Sequence, residues 1–464
     1  MSSTKIIAGA YGLACNEENR IGFFNIATRA NLVVDVSDDL EGLRRKYPEA
    51  EMVDASGKIV LPTLFNSHFH PESMISRFIE PSLPISQWRS EHLLKLESAL
   101  DARDEGFYEK MYHLTFFSAI QSGVGALSFS IIGDEPGARG MYSAVKLTGI
   151  DAVAFAESEQ QISFMRRIIE RHLKTGVFVP YQKDLTLFSL SAVARSNFDS
   201  PGWIMAHADE DEEDMELTKT NFNSGIVQLL KKSKILSGST ILVGLNGTAP
   251  ASLKIAKEAG AKVVLIPERL DAPAFKAIRN VYGKFAIGSN WETPGLFRQM
   301  KKLLDLGCDP VDALTSATRS GAELFNMGSK LGSIEAGKVA SFAFIDARKL
   351  SARRLEMLSP HDAVAALIED YSDSDISDVV LDGEFVYKDR KILLYDSTEL
   401  LKEESELIGS VVNYAEKGPA RAEMKTPSLH APQVRPEDTT EPESESKKVE
   451  LPKNIRKVFG EDEF

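Results

Sequence analysis

The sequence has few cysteines, no excess of positive charge and no long apolar run. Its two cysteines, Cys15 and Cys308, are isolated and form no CxxC pair. Such low cysteine usage is typical of a reducing compartment and excludes a disulfide-stabilised scaffold. No apolar run reaches the roughly 18 residues of a membrane-spanning helix, and the N-terminal run is too short for a secretory signal. These absences predict a cytoplasmic protein that does not enter membranes.

The charge balance bears on the kind of partner. The chain carries 54 Lys and Arg against 68 Asp and Glu, a net charge of −14. A general nucleic-acid binder needs clustered cations for its phosphate contacts, so this class is disfavoured. Hydrophobic residues make up 43% of the 464 residues, which suffices for a large core. We therefore expect a globular protein whose partner is a small-molecule substrate. A homodimer is possible on this composition.

The middle of the chain alternates between two kinds of segment. Eight short apolar runs are rich in β-branched or aromatic residues, as buried parallel strands are; they lie at 59–66, 124–131, 152–156, 177–181, 203–208, 240–246, 262–267 and 284–290. Segments with helical spacing lie between most of them, for example 93–121, 162–173, 215–232, 251–259 and 297–306. This α/β alternation predicts a TIM (β/α)₈ barrel over 57–338. An open doubly wound sheet is the alternative.

The two flanks of the barrel have a different pattern. Residues 1–56 and 339–395 are strand-like and contain no long helix with a clean apolar stripe. The segment 379–394 reads as two strands joined by a short polar turn. We expect the two flanks to meet in a small β-sandwich beside the barrel.

The C-terminal segment 396–464 is predicted to begin with a short helix near 397–415. From 415 to 464 the chain contains six of its 20 prolines, 11 acidic and nine basic residues, and few large apolar ones. Such an acidic, proline-rich segment buries too little apolar area to offset its ordering entropy, so a disordered tail is expected. Residues 451–459 carry enough apolar and basic side chains to be a docking segment, although a solvated tail is favoured.

Three histidines follow the first and fifth predicted barrel strands. Active sites of such barrels lie at the carboxyl ends of the strands. His68 and His70 are two apart in an extended segment, so their side chains face the same way. His207 ends strand five. Three imidazoles are a minimum protein ligand set for one divalent metal, zinc first and iron as the alternative.

A carboxylate follows the third histidine. Glu210 lies three residues after His207, where it could move a proton between water and a substrate nitrogen. It belongs to six consecutive acidic residues, 209–214. We assign 211–214 to a solvated helix N-terminus, where negative charge is favourable, and keep Glu210 as the catalytic candidate.

The other strand ends carry weaker signals. Gly244 and Asn246 follow strand six, and Ser289 and Asn290 follow strand eight. Strand four offers Lys183 and Asp184, which are more typical of a surface pair. The five remaining histidines lie away from strand ends and are left out of the site. His92, His113 and His172 fall in predicted helical stretches, and the other two are His361 and His430.

Several motifs resemble the amidohydrolase superfamily. VLPTLFNSHFHPE is similar to its entry motif before the barrel, LGSIEAGKVASFAFIDARKL to its return into the sandwich, and VVLDGEFVYKDRKI to its closing strands. PISQWRSEHLLKLESAL with FFSAIQSGVGALSF resembles the branch of S-adenosylhomocysteine and methylthioadenosine deaminases and triazine chlorohydrolases. The resemblance covers about 1–395 and independently implies the barrel and sandwich.

The resemblance also implies roles for individual residues. That branch holds one divalent metal with an HxH pair, a strand-five His and a strand-eight Asp, and a Glu and a strand-six His handle the water. His68, His70, His207 and Glu210 match this pattern. Asn290 stands at the position of the aspartate, and Gly244 at that of the strand-six histidine.

Two functions follow as hypotheses. The first is a metal-dependent hydrolase of the deaminase type, acting on a C–N bond of a cyclic or nucleoside-like compound, with Glu210 and Asn290 as catalytic residues. The second is a degenerate family member with a binding, scaffolding or regulatory role. One tightly bound metal per chain would favour the first, and an empty site the second.

Overall fold

The structure is a computed structural model that describes residues 4–76, 96, 98–100, 103–199, 202–347 and 352–417. Most of the predicted disordered tail, the docking segment 451–459, His92 and His430 lie outside the described residues. Among the helices of the described part, none is both long and apolar enough to cross a membrane.

The strands are numbered in chain order and given in three groups: those before the barrel, those of the barrel and those after it. The first seven are β1 (Thr4–Ala8), β2 (Tyr11–Leu13), β3 (Ile21–Phe23), β4 (Asn25–Arg29), β5 (Leu32–Ser37), β6 (Glu51–Asp54) and β7 (Lys58–Pro62). The next eight are β8 (Leu64–Phe69), β9 (Val124–Ser130), β10 (Asp151–Ala156), β11 (Leu173–Phe178), β12 (Trp203–Ala208), β13 (Thr240–Gly244), β14 (Lys262–Leu265) and β15 (Ala286–Ile287). The last four are β16 (Phe342–Asp346), β17 (Ile376–Leu381), β18 (Glu384–Lys388) and β19 (Lys391–Ile392).

The helices are numbered in the same way. Up to the end of β13 they are α1 (Leu40–Lys46), α2 (Ser73–Ser76), α3 (Glu105–Gln121), α4 (Glu135–Thr148), α5 (Glu159–Met165), α6 (Leu187–Asp199), α7 (Glu212–Phe222) and α8 (Ile226–Lys232). After it come α9 (Pro250–Glu258), α10 (Ala272–Tyr282), α11 (Phe297–Asp305), α12 (Pro310–Ser316), α13 (Arg319–Leu324), α14 (Ala352–Glu356), α15 (Pro360–Asp370) and α16 (Ser397–Lys417). Short 3₁₀ turns lie at Gln182–Asp184, Pro267–Arg269 and Asp373–Asp375.

Strands β8 to β15 form one parallel eight-stranded sheet in sequential order. The residue after β15 closes this sheet against β8: the Asn290 amide donates to the His68 carbonyl, and the His70 amide donates to the Asn290 carbonyl, both at 3.0 Å. A parallel bridge between Phe69 and Asn290 marks the same seam. The predicted barrel is therefore confirmed, and the open-sheet alternative is wrong.

The barrel interior is filled with apolar side chains. Each of the eight strands contributes at least one residue to a single buried cluster, which includes Phe65, Ala126, Phe155, Phe178, Met205, Val243, Val264 and Ala286. The alternate residues of the same strands, such as Ala152 and Ala154, face the surrounding helices. This period-two alternation is expected for a barrel whose centre is a packed core. Polar side chains are thereby displaced to the rim at the carboxyl ends of the strands.

The two flanks of the chain form the sheets predicted beside the barrel. A seven-stranded sheet has the order β19-β18-β17-β16-β7-β2-β3, and a four-stranded sheet has the order β5-β4-β1-β6. Residues of both sheets share one buried cluster, among them Ile7, Ile26, Val60 and Phe344. The two strands expected within 379–394 pair antiparallel as β17 and β18.

Several predicted elements have different bounds in the structure. The apolar run 59–66 divides at Thr63, because Lys58–Pro62 pairs with β16 in the sandwich whereas β8 enters the barrel. The helix predicted over 162–173 ends at Met165, and strand four lies at Leu173–Phe178 instead of 177–181. Residues 173–177 pair with β10 but are only partly buried, so several of them are polar. The segment therefore lacks the apolar run by which the other strands were predicted.

The prediction that the second flank lacks a long helix was wrong. Helix α15 spans Pro360–Asp370 and buries Ala363, Val364, Leu367 and Ile368, which repeat with the spacing of one helical face. Ser359 caps it by accepting from the Asp362 amide at 3.1 Å. The helix expected near 397–415 is present as α16.

Candidate metal centre and active site

The three predicted histidines converge at the carboxyl end of the barrel. One ring nitrogen from each of His68, His70 and His207 lies within 4.8 Å of the others. The Nε2 atoms of His68 and His70 are 3.1 Å apart. All three side chains are buried. Strand alternation places His68 and His70 on one side of β8, and β12 brings His207 to the same rim.

Carboxylates contact the Nδ1 atoms of two of these imidazoles. Glu72 Oε1 lies 3.1 Å from His70 Nδ1, and Glu210 Oε1 lies 2.6 Å from His207 Nδ1. When the carboxylate accepts the Nδ1 proton, the Nε2 atom keeps its lone pair. His207 Nε2 has no hydrogen-bond partner among the described residues. The Tyr181 hydroxyl lies 2.9 Å from His70 Nε2.

Burial dominates the electrostatics of the cluster. It holds the pKa of His68 well below its usual range, and the neighbouring His207 and His70 add to this effect. The ring is therefore neutral at physiological pH and can offer a lone pair. Burial also raises the pKa of Glu72 to about 8, and a cation bound beyond His70 would favour its ionised form.

Glu210 occupies the space above the end of strand six. Its Oε2 atom lies 3.9 Å from an Arg269 guanidinium nitrogen. Gly244, the last residue of β13, has φ +94°, and a Cβ built there would lie 2.5 Å from Glu210 Cγ. The glycine thus makes room for the Glu210 side chain, which fills the volume that a side chain at position 244 would need.

Asn290 lies in the barrel seam with a left-handed backbone, φ 55°. Its side chain is buried beside the His68 ring, with which its amide interacts. A carboxamide offers a donor and an acceptor but does not take up a proton at neutral pH. Asn290 can therefore orient a bound group, whereas Glu210 is the carboxylate available for proton transfer.

Aromatic rings line the same rim. The Trp291 ring stacks on His70 at 4.2 Å between centroids and 8° between planes. The Tyr181 ring stacks on His207 at 4.6 Å and 24°. Both rings restrict the rotation of the histidines and present flat faces near the cluster.

Four side chains of the site are not among the predicted site residues: Glu72, Tyr181, Trp291 and Arg269. Glu72 continues the His68 and His70 spacing of two, and Trp291 follows Asn290 directly, so both had a positional signal. Tyr181 was assigned to the predicted strand four and instead follows it. Arg269 lies in a 3₁₀ turn after β14, and nothing in the local sequence indicates its approach to Glu210.

The weaker candidates lie outside the cluster. Lys183 and Asp184 form a partly exposed pair at 3.1 Å, as expected for a surface pair. Ser289 Oγ accepts from the Asn66 side chain at 2.7 Å. Asp211 caps α7 by accepting from the Asp214 amide at 3.0 Å, which agrees with the helix N-terminus expected at 211–214.

His172 is not in a helix, contrary to the prediction. It lies just before β11, where its Nδ1 is 3.2 Å from Asp151 and its Nε2 is 3.1 Å from Asp382. These two carboxylates raise the pKa of His172 to about 9. The charged imidazole thus links the barrel to the β17–β18 turn, far from the histidine cluster.

Two curated relatives are similar over most of the chain. A 5-methylthioadenosine/S-adenosylhomocysteine deaminase from Pyrococcus abyssi is 23% identical over 405 residues, which cover 81% of this chain and 93% of that protein. A 5'-deoxyadenosine deaminase from Methanococcus vannielii is 27% identical over 397 residues, covering 76% of this chain and 88% of that protein. The first carries the name of the deaminases that the sequence motifs resemble.

Solved structures show the same fold. An adenosine deaminase from Xanthomonas campestris with bound zinc superposes with a TM-score of 0.77 at 17% identity, covering 88% of this chain and 98% of that one. An atrazine chlorohydrolase from Arthrobacter aurescens TC1, complexed with zinc, gives a TM-score of 0.73 at 16% identity, covering 87% and 99%.

The family model described as "Amidohydrolase family" matches residues 59–386. This match begins before β8, spans the histidine cluster and ends within β18, so it includes the whole barrel. The predicted superfamily, fold and hydrolase class are confirmed by it together with the relatives. The chain belongs to the amidohydrolase family.

Proposed function

We propose that His68, His70 and His207 hold one divalent cation, zinc in the first place. The observation that carries this proposal is that one ring nitrogen from each of three buried histidines lies within 4.8 Å of the others. Three neutral imidazole nitrogens at this spacing are a ligand set for one divalent cation. Zinc–nitrogen bonds of about 2.0–2.1 Å place neighbouring ligand atoms about 3–3.5 Å apart, so the donor set fits the ion. When bound, such a cation supplies Lewis acidity that makes water nucleophilic at neutral pH.

The reaction proposed is hydrolytic deamination. Water contributes the oxygen that replaces an amino group on a ring carbon. One of its protons leaves with the amino group as ammonia, and the other stays on the product, at the new oxygen or a ring nitrogen. Glu210 is the residue proposed to carry a proton from water to the departing nitrogen, since its carboxylate is buried at the rim beside His207. Asn290 is proposed to orient the reacting groups through its buried amide.

The substrate class proposed is a nucleoside-like compound with a flat heterocycle. The names of the two curated deaminases support this choice. Trp291 and Tyr181 add a physical reason, because their flat rings beside the histidines suit the stacking of a heterocycle. We also propose a cytoplasmic location, which the two buried free cysteines, Cys15 and Cys308, support. A homodimer stays a prediction.

A substrate panel tests this function. Purified protein with added zinc is incubated with 5-methylthioadenosine, S-adenosylhomocysteine, 5'-deoxyadenosine and adenosine, and ammonia release is measured. We expect turnover of at least one compound and its loss, by about 10³-fold or more, in His68→Ala. His361→Ala is the matched control, because His361 is half exposed and pairs with Asp309.

The alternative of a binding protein without turnover gains no support from the comparisons. It would become the conclusion if the protein binds zinc and these nucleosides without releasing ammonia. A protein in which His68→Ala leaves turnover unchanged would instead contradict the proposed site.

A further inference from the structure

A second cavity lies at the opposite end of the barrel from the histidine cluster. It has a volume of about 390 Å³ and is lined by the residues at the amino ends of β14 and β15, the last turns of α9 and α10, and one face of α13. Because the strands are parallel, their amino ends lie a full strand length away from the rim that carries His68 and Asn290. This cavity therefore does not belong to the site described above.

The walls of the cavity are apolar. Val263, Tyr282, Phe285 and Leu324 line it and are themselves buried. Its volume falls within the roughly 300–1,000 Å³ range of small-molecule sites. The volume and the aromatic rings of Tyr282 and Phe285 in the lining suit an apolar ring.

Three lysines give the cavity a positive charge in a strongly acidic protein. Lys257, Lys262 and Lys284 line it against one carboxylate, Glu323, in a chain of net charge −14. Glu323 lies 3.7 Å from Arg319 Nε, which offsets its charge. The local field therefore favours an anion.

The three lysines differ in how they are engaged. Lys262 donates to the Leu324 carbonyl at 2.7 Å and lies 4.2 Å from the Trp203 ring centroid, so it is held in place. The Lys257 ammonium lies 5.1 Å from the Tyr282 ring centroid. In the described part of the chain, neither Lys257 nor Lys284 has a carboxylate within 4.0 Å. Two ammonium groups are thus available to a ligand.

One of the residues that line the cavity carries a buried donor without a partner. Tyr282 is 8% exposed, and its hydroxyl makes no hydrogen bond within the described residues. Leaving a buried hydroxyl unpaired is unfavourable, so an acceptor at this point would be stabilising. The hydroxyl is independent of the lysines and indicates the same kind of ligand, one with anionic oxygens.

We propose that this cavity is a binding site for a flat apolar molecule that carries a phosphate, sulfate or carboxylate group. Lys257 and Lys284 bind the anion, the Tyr282 hydroxyl donates to one of its oxygens, and the apolar walls contact the ring. The site is separate from the proposed catalytic centre, although Phe285 and Ala286 in its wall lie on the segment that continues to Asn290.

Isothermal titration of the full chain with 1-naphthyl phosphate tests this site. For 15 non-hydrogen atoms we expect a Kd of about 0.1–0.5 mM at low salt. Inorganic phosphate alone and 1-naphthol alone should each bind at least about tenfold more weakly, because each lacks one half of the contacts. Equal binding of 1-naphthol would overturn the assignment of an anion, and equal binding of phosphate would overturn the apolar part.

Matched variants locate the bound probe. Lys257→Gln with Lys284→Gln should raise the Kd by about tenfold or more, and Tyr282→Phe by about threefold. Lys254→Gln with Lys276→Gln, on the same two helices but outside the cavity, should leave it unchanged. His68→Ala should also leave it unchanged. Loss of binding in His68→Ala with retention in the lysine pair would place the probe at the metal centre and refute the proposal, as would no detectable heat.

Discussion

Gly244 is a position beside the proposed site that only glycine suits. Its φ of +94° is a conformation that side-chain-bearing residues rarely adopt, and an added Cβ would meet Glu210 Cγ at 2.5 Å. The left-handed backbone costs a non-glycine residue about 1–2 kcal/mol. Overpacking a buried site costs about 1–3 kcal/mol more. We therefore expect Gly244→Ala to lower the free energy of unfolding by about 2–5 kcal/mol.

The same substitution should affect activity, because relief of the contact displaces Glu210 from His207. We expect a fall in kcat of at least about tenfold, with zinc content retained. Gly238→Ala is the matched control: Gly238 precedes the same strand, has no positive φ, and its Cβ would have one neighbour at 4.0 Å. Urea unfolding and ammonia release from the best substrate of the panel provide the two readouts.

The same close contact predicts the effect of a histidine at position 244. Gly244→His, alone or with Asn290→Asp, should lower activity, since the larger side chain needs the volume that Glu210 occupies. A Gly244→Ala protein as stable and active as the wild type would refute the assigned backbone and the position of Glu210. A gain of activity in Gly244→His would refute it as well.

Three further predictions concern separate residues. His172→Gln should lower the free energy of unfolding by about 1–2 kcal/mol at pH 6. Because the pKa of His172 in the folded protein, about 9, lies above the ordinary value of 6.5, this contribution is complete below pH 6.5 and disappears as the pH rises through 9. Thermal unfolding at pH 6 and above pH 9 measures it, with His361→Gln, at an exposed histidine, as the control. The Asn290→Asp protein should bind zinc about tenfold more tightly in a chelator competition, because the substitution adds a buried negative charge beside the cluster. Asn326→Asp is the control: Asn326 has the same left-handed backbone, and its substitution should leave zinc affinity unchanged. Trp291→Leu should raise KM about tenfold with a smaller change in kcat, because the stacking face is lost.

The barrel could be predicted because most of its strands are buried on both faces. Such strands appear in the sequence as short apolar runs, and six of the eight runs overlap their barrel strands closely. The first run, 59–66, shares only 64–66 with β8. Strand four at Leu173–Phe178 was displaced because its first residues are partly exposed and polar. Thr63 divides two strands of different sheets without any break in hydrophobicity, so local sequence carries no signal for that division.

The histidine cluster was predictable from spacing, whereas its surroundings were not. His68 and His70 face one way because strand side chains alternate, and His207 joins them because parallel strands end at one rim. The contact of Arg269 with Glu210, and the exclusion of a side chain at Gly244, depend on how neighbouring strands meet after the barrel closes. These contacts depend on the tertiary fold, so no local pattern in the sequence predicts them.

The zinc content of the purified protein is the measurement that tests the account most directly. Protein produced with zinc in the medium is dialysed against a weak chelator, and metal per chain is determined by elemental analysis. We expect about one zinc per chain in the wild type and in His361→Ala, and less than about 0.1 in His207→Ala, because two imidazoles bind the ion far more weakly than three. A folded wild-type chain without metal, or an undiminished zinc content in His207→Ala, would contradict the proposed metal centre.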